Sequence, residues 1–166
     1  MRERVSLAAL VVLLGGCADP CADLGPPTLT LGTTNAEATT FDLFDDGGEL
    51  PLSTGPQIGM HVWLNLRVAG FCPPEIEVDR RVVDDETEAL IEIQRGPLDF
   101  VEDTEPGTWV LDRPLTMIIC PTDRAIIGEH LRFAVRAEDS RGRVDIAMKP
   151  FVPVCVSGTC ELCVPP

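Results

Sequence analysis

The clearest hydrophobic pattern in the chain is a strict alternation over residues 58–68. The even-numbered positions of this run are all apolar, whereas the odd-numbered positions carry glycine, histidine, tryptophan, asparagine and arginine. Successive side chains of a strand point to opposite faces, so the alternation predicts a half-buried strand. The outward row, with His61, Trp63 and Arg67, is either a small recognition surface or a row covered by a second sheet or a long loop.

Shorter runs of similar character recur along the chain, separated by proline, glycine and acidic turns. They cover residues 28–33, 40–44, 49–52, 75–83, 89–94, 108–111, 115–120, 131–137 and 144–148. The Asp-Asp-Gly-Gly sequence at 45–48 predicts a hairpin, as does the turn at 139–142. Pro150 and Pro153 predict the end of an edge strand. About nine short strands without a helical segment predict an all-β fold, an antiparallel β-sandwich.

The stretch from His130 to Met148 resembles the last hairpin of Ig-like and fibronectin-III-like modules, in which an alternating strand runs into an Asp-x-x-Gly turn. Residues 59–63, of sequence Gly-Met-His-Val-Trp, are similar to an early core strand of such modules in exported bacterial proteins. The resemblance covers residues 28–153 and implies an Ig-like sandwich with a binding or scaffolding role. Trp63 departs from the pattern of antibody-type domains, because it lies opposite the apolar stripe.

The N-terminus carries an export signal. Arg2 and Arg4 precede an apolar run over residues 5–14 that is too short to span a membrane. Residues 14–17, of sequence Leu-Gly-Gly-Cys, then resemble the lipobox of bacterial lipoproteins. The resemblance implies cleavage before Cys17, lipidation of its thiol and anchoring to a membrane. Ala18 in place of aspartate implies the outer membrane if the cell is diderm. The alternative is an ordinary secretory signal with an accidental cysteine.

These features divide the chain into a signal peptide (1–16), a lipidated tether (17–27), a sandwich (28–153) and a Cys-rich C-terminal segment (154–166).

The predicted mature chain is strongly acidic. Removing Arg2, Arg4 and Glu3 from 13 basic and 27 acidic residues leaves 11 basic and 26 acidic residues, a formal charge of −15. A field of that sign repels nucleic acid and anionic lipid headgroups. We therefore expect no nucleic-acid partner.

The chain has seven cysteines, and lipidation of Cys17 leaves six. An even number in an oxidising compartment predicts three disulfides. Cys72 and Cys120 each end a strand-like run before a proline, so we predict that they pair. Cys21 is predicted to pair with a C-terminal cysteine, and the remaining two to close a local loop. The C-terminal cysteines are Cys155, Cys160 and Cys163.

Two alternatives exist for the C-terminal cysteines. Their spacing, with a distant fourth cysteine, mimics plant-type iron–sulfur ligands, and residues 160–163 have the spacing of a redox motif. Export of the unfolded chain precedes any cluster insertion, and a redox motif belongs at a helix N-terminus. Structural disulfides are therefore favoured.

Machinery for catalysis is not visible in the sequence. His61 and His130 are the only near-neutral bases, and neither lies in a nucleophile or metal-binding motif. Acidic residues crowd into two segments, 84–88 and 99–105, which are either calcium loops or simply solvated. We predict no catalytic residue, no resident metal and no cofactor.

Charge is unevenly distributed, and four arginines surround the last predicted hairpin: Arg132, Arg136, Arg141 and Arg143. They either pair with acidic neighbours across strands or form a patch for the carboxylates of an acidic glycan or envelope protein.

From these features together we expect a lipid-anchored binding or structural module of the cell envelope. The alternatives are an envelope hydrolase, with His61 or His130 near a carboxylate in a deep pocket, and an accessory subunit of an envelope assembly. An accessory subunit predicts an exposed apolar patch or an unpaired strand edge.

Overall fold

The computed structural model describes residues 21–34, 40–54, 60–72, 75–118 and 126–155, and these form nine strands. The strands are β1 (Thr28–Gly32), β2 (Gly48–Thr54), β3 (Met60–Ala69), β4 (Glu75–Asp84), β5 (Leu90–Glu102), β6 (Thr108–Leu111), β7 (Leu115–Ile118), β8 (Leu131–Asp139) and β9 (Val144–Cys155). The described residues contain no helix, so the prediction of an all-β fold is confirmed. No helix in this part of the chain is long and apolar enough to cross a membrane.

Seven of the strands close into a barrel. The circuit runs from β3 through β2, β9, β8, β4, β5 and β6 and returns to β3, while β1 and β7 pair with β3 outside it. The predicted sandwich is corrected, because β2 hydrogen-bonds to both β3 and β9, and β6 to both β3 and β5. These two strands join the layers edge to edge. The antiparallel prediction is corrected at β2 and β9, which pair in parallel.

The core lies between the two walls of the barrel. The even-numbered residues of β3, from Met60 to Val68, are all buried there, as the alternation predicts. On the facing wall Phe133 of β8 stacks on Phe151 of β9, with ring centroids 4.2 Å apart. Removal of this apolar surface from water is the main term that stabilises the fold.

The odd-numbered side of β3 is covered as well, so the prediction of a half-buried strand is wrong. His61 and Asn65 are buried, and Trp63 is half-buried. The connection between β1 and β2 lies over this side: Thr33 Oγ1 donates to the carbonyl of Trp63 at 3.1 Å, and Asn65 Nδ2 donates to the carbonyl of Thr40 at 3.1 Å. The connection between β1 and β2 therefore contacts this row at Trp63 and Asn65, which supports the interpretation of a covered row.

The hairpin predicted around residues 45–48 is also wrong, although a turn is present. The backbone N–H of Gly48 donates to the carbonyl of Asp45 at 2.8 Å. Residues 40–44 form no strand, and their one ladder contact is an isolated bridge at Asp42. The strand β2 pairs instead with the long strand β9, in a parallel ladder from Gly48 opposite Phe151 to Leu52 opposite Cys155.

The last strand continues through Pro150 and Pro153 to Cys155, beyond the predicted end. The carbonyl of Pro150 accepts from the N–H of Gly47 at 2.9 Å, and that of Pro153 accepts from Gly128 at 3.0 Å. The nitrogen and carbonyl of one strand residue point to the same side. Each proline nitrogen therefore faces a neighbouring turn, where the ladder needs no donor.

The predicted disulfide pairing is wrong for both cysteines whose partner the structure describes. Cys21 is bonded to Cys72, 51 residues away, with their Cα atoms 5.5 Å apart. Cys72 therefore does not pair with Cys120, and Cys21 does not pair with a C-terminal cysteine. Neither partner could be read from the sequence, because Cys21 reaches Cys72 only after β1 has aligned along β3.

The remaining cysteines fall largely outside the described residues. Cys155 is also disulfide-bonded. Its partner is not among the described residues, and the predictions for Cys17, Cys120, Cys160 and Cys163 lie outside them.

Candidate functional site

The four arginines predicted as a patch separate into two pairs. Arg132 and Arg136 share the outward face of β8, where they stand opposite Val83 and Asp79 of β4. Arg132 contacts Glu88 at 2.5 Å and Asp85 at 3.4 Å, and Arg136 contacts Glu138 at 2.6 Å. The pairing with acidic neighbours that the sequence analysis considered is thus present at both arginines.

Arg141 and Arg143 do not contribute to that face. Arg141 Nη1 donates to the carbonyl of Cys21 at 3.4 Å. Arg143 Nη2 donates to the carbonyl of Leu24 at 3.3 Å and also to that of Gly25. These two side chains hold the N-terminal segment, including part of the predicted tether, against the β8–β9 hairpin.

The outward face gains two further arginines from β4 and β5. Asp79 of β4 stands directly between Arg95 of β5 and Arg136 of β8 in the ladders. Arg81 binds the Asp79 carboxylate through two nitrogens at 3.0 Å each, and Arg95 Nε contacts it at 2.7 Å. Arg81, Arg95 and Arg136 around Asp79 are called the arginine cluster below.

The electrostatics of the cluster are those of a shared carboxylate. The hydrogen bond from Arg81 lowers the pKa of Asp79, against the effect of its partial desolvation, and the charges of Arg81 and Arg95 lower that pKa further. Asp79 therefore stays ionised and orients two guanidinium groups. Arg80 lies on the inner face of the same strand, where it donates to Gln94 Oε1 and burial lowers its pKa.

Apolar side chains border the arginine cluster on the same sheet face. Ile146 of β9 is opposite Arg136, and Met148 is opposite Ala134; they are 55% and 62% exposed. Ile93 of β5, opposite Arg81, is also exposed. Two shallow hollows of about 210 and 460 Å³ lie on either side of Asp79 and Arg136. Arginine and methionine are both enriched at protein-binding surfaces.

Neither histidine belongs to the arginine cluster. His61 is buried, with its ring edge-to-face on the ring of Trp63 and the two ring centroids 4.9 Å apart. His130 is exposed, and its carbonyl accepts from the N–H of Asp85 at 2.9 Å. Neither residue lines the two hollows beside the cluster.

The two acidic segments are occupied with contacts of their own. Asp84 Oδ1 accepts from the backbone N–H groups of Glu86 and Thr87 at 3.1 and 2.7 Å, which closes the turn after β4. In the second segment Asp103 pairs with Arg67 at 2.6 Å. Among the described residues, no group of three or more histidine, cysteine or acidic side chains is placed to hold a metal ion.

Three members of the candidate site were not predicted from the sequence: Asp79, Arg81 and Arg95. Their alternation along β4 and β5 indicates which side chains point outward. It does not reveal that β4 lies between β5 and β8, so the cluster could not be found before the strand order was known.

No protein-family model matches the chain, and no curated protein matches it. Solved structures similar to it include that of CopC from Methylosinus trichosporium OB3b, with a TM-score of 0.35, 14% identity and coverage of 78% of this chain and 98% of that chain. Another is murine CRIg, with a TM-score of 0.30, 14% identity and coverage of 80% and 100%. Both are small all-β domains, and these TM-scores support nothing beyond that class.

Proposed function

We propose that this protein is a lipid-anchored binding module of the cell envelope, and that the arginine cluster binds carboxylates of an acidic partner protein. The proposal rests on one observation: Arg81, Arg95 and Arg136 lie together on one sheet face, although the chain has a net charge of −14. Only two of these arginines share a carboxylate with each other. Planar guanidinium groups that are already oriented lose little entropy when they bind a second carboxylate.

The exposed aliphatic side chains favour a protein over a glycan. Ile146 and Met148 present apolar surface directly beside the cluster. An acidic polysaccharide would cover little of that surface, whereas a protein partner gains from removing it from water. An acidic glycan is therefore the second outcome that the experiments below distinguish.

The strand order supports an Ig-like module. The order β9-β8-β4-β5 follows the G-F-C-C′ order of variable-type Ig sheets, and β1-β3-β6 follows the A-B-E order of the facing sheet. The closure of the barrel through β2 and β6 is the departure from two separate sheets. Modules of this architecture serve many functions, so the cluster and not the fold supports binding.

The envelope location rests on the lipobox resemblance at residues 14–17. The test is the intact, non-reduced mass of the protein extracted from membranes with detergent. We expect a chain that starts at Cys17 with a lipid-sized excess mass and no free thiol among the other six cysteines. A chain that lacks the lipid overturns the anchoring.

The binding role is tested by retention of the full chain, in detergent, on immobilised poly-glutamate and on alginate at low ionic strength. We expect retention on poly-glutamate, and its loss in the double variant Arg95→Glu/Arg136→Glu. The matched control is Arg113→Glu/Arg124→Glu, which lowers the net charge by the same amount as the double variant and leaves the three arginines of the cluster in place. Retention on alginate alone supports the glycan outcome, and no retention on either matrix, or unchanged retention of the double variant, overturns the proposal.

A further inference from the structure

The strand β5 has one edge that its own domain leaves largely unused. Over residues 90–99 it pairs with β4 on one side. On the other side, its ladder with β6 covers only residues 100–102. Within the described part of the chain no strand pairs with that second edge over residues 92–98.

Two backbone hydrogen bonds establish which residues face the second edge. The carbonyl of Asp99 accepts from the N–H of Asp112 at 3.1 Å, and the N–H of Asp103 donates to the carbonyl of Thr108 at 2.9 Å. Both reach toward β6 and its flanks, so the odd-numbered residues at this end of β5 face the second edge. The register with β4 is regular from Glu92 to Asp99, so the same parity extends back along the strand.

The position of Pro97 agrees with this parity. A proline has no N–H, so it fits on the side where the ladder needs no donor. Arg95 and Ile93 lie two and four residues before Pro97 and face the same side. Their backbone N–H and carbonyl groups point to the second edge, and no described residue bonds to these groups.

A hollow lies beside one end of this edge. At the fork where β6 leaves β5, it has a volume of about 390 Å³ and is lined by residues 97–99 and 111–115. Farther along, Gln94 Nε2 donates to the carbonyl of Thr116 in β7 at 3.2 Å, which is a side-chain contact and not a ladder. An added strand along Ile93 and Arg95 would therefore have to displace this one side-chain contact, but no backbone ladder among the described residues.

From this geometry we infer that β5 accepts an extended segment of the acidic partner as an additional antiparallel strand along Ile93 and Arg95. The inference rests on the proposed binding role and specifies how the partner attaches. Unpaired backbone groups of a strand edge select another extended backbone. Ile93 and Arg95 also point their side chains to the outward face, so they select an apolar residue and an acidic residue two positions apart in the added strand.

A second copy of this chain is a poorer occupant than a separate acidic segment with an apolar neighbour. An antiparallel pairing of two copies of β5 about Ile93 would leave both Arg95 side chains, 63% exposed, without an acidic partner directly opposite. Self-pairing is therefore an outcome that the experiment identifies.

The test uses amide hydrogen exchange, resolved to single residues, on the full chain in detergent micelles. The probe is the acetylated, amidated peptide Thr-Glu-Thr-Val-Thr, which in antiparallel alignment places glutamate opposite Arg95 and valine opposite Ile93. Without the probe, the amides of Ile93 and Arg95 should exchange quickly and those of Gln94 and Gly96, which face β4, slowly. A saturating amount of probe should slow the first pair on the order of tenfold.

Two variants separate backbone from side-chain recognition. Ile93→Pro removes a donor that no described residue uses, and we expect the probe to lose its effect on the Arg95 amide while the β4 ladder stays protected. Arg95→Glu keeps the backbone donors and acceptors. In this variant the peptide Thr-Lys-Thr-Val-Thr should protect the amides of residues 93 and 95 more than Thr-Glu-Thr-Val-Thr does. This variant decides the matter if Ile93→Pro does not fold.

Three results overturn the inference. The first is that the probe does not protect the amides of Ile93 and Arg95. The second is that both peptides protect Arg95→Glu equally. The third is protection of these amides that rises with protein concentration in the absence of probe, which indicates self-pairing. If retention on poly-glutamate still depends on Arg136 in any of these cases, the proposed function stands and only the strand addition falls.

Discussion

The carboxylate of Asp139 accepts a hydrogen bond from the backbone N–H of Cys72 at 2.8 Å. Its other oxygen accepts from the backbone N–H groups of Arg141 and Arg143 at 2.9 and 3.0 Å. One buried side chain thus fixes the end of the β8–β9 hairpin and positions a disulfide cysteine. Because Cys72 holds Cys21, the N-terminal segment is attached to the same point of the fold.

Asp139→Asn should destabilise the protein strongly. The amide retains one oxygen as an acceptor, but its NH₂ group would face backbone donors, so at least one buried hydrogen bond to a charged group is lost. We expect the free energy of unfolding in urea to fall by about 2–4 kcal/mol. The matched control is Asp145→Asn, since Asp145 accepts a single backbone bond from Leu29 at 2.7 Å. Equal losses in the two variants would contradict the role assigned to Asp139.

The contribution of Asp139 should disappear in acid. Burial alone would raise its pKa, but the hydrogen bonds from Arg143, Cys72 and Arg141 and the charge of Arg143 together lower it below its ordinary value. A pKa that is lower in the folded than in the unfolded state stabilises the fold above the unfolded value, about pH 4, and this stabilisation is lost as pH falls through the folded value. The stability difference between wild type and Asp139→Asn should therefore narrow below about pH 4. A difference that widens on acidification contradicts this.

The Cys21–Cys72 bond should also stabilise the fold strongly. In the chain-entropy model, a cross-link between residues 51 apart lowers the entropy of the unfolded chain and raises its free energy by about 4 kcal/mol. We expect the double variant Cys21→Ser/Cys72→Ser to lose stability of that order in urea unfolding. A non-reduced peptide map should contain Cys21 and Cys72 in one linked fragment, and a fragment that links Cys72 to Cys120 would contradict the structure.

Strand positions could be predicted from the sequence because alternation is a local property. The alternation over residues 58–68 placed β3 and its core side correctly, and the turn at 139–142 placed the last hairpin. Where a prediction depended on one segment alone, as at 108–111, the observed strand has the same bounds.

The errors arose where a distant segment decided the outcome. The connection after β1 contacts Asn65, which is buried although the local pattern exposes it. The disulfide partner of Cys72 depends on how β1 lies along β3, and the arginine cluster depends on the strand order β5-β4-β8. The residues that meet are 25 positions apart at Asn65 and 51 positions apart at Cys72, and no local periodicity encodes such encounters.

The close approach of Gly70 to the N-terminal segment gives a test of that attachment. Gly70 has φ of +68°, and a Cβ there would collide with backbone atoms of Gly25 and Pro26. Gly142 in the β8–β9 turn has φ of +75° but open space around the Cβ position. Both Gly→Ala variants incur the same backbone strain, about 1–2 kcal/mol. The difference between them isolates the collision.

We expect Gly142→Ala to show that strain alone and Gly70→Ala to lose at least about 2 kcal/mol more, because backbone atoms cannot move aside as a flexible side chain can. The measurement is urea unfolding of both variants with the Cys21–Cys72 bond intact. Repeating it in the Cys21→Ser/Cys72→Ser background should shrink the excess loss of Gly70→Ala, since the N-terminal segment is then free to move away. An excess loss that is the same in both backgrounds would show that the contacts of Arg141 and Arg143 hold this segment in place without the disulfide.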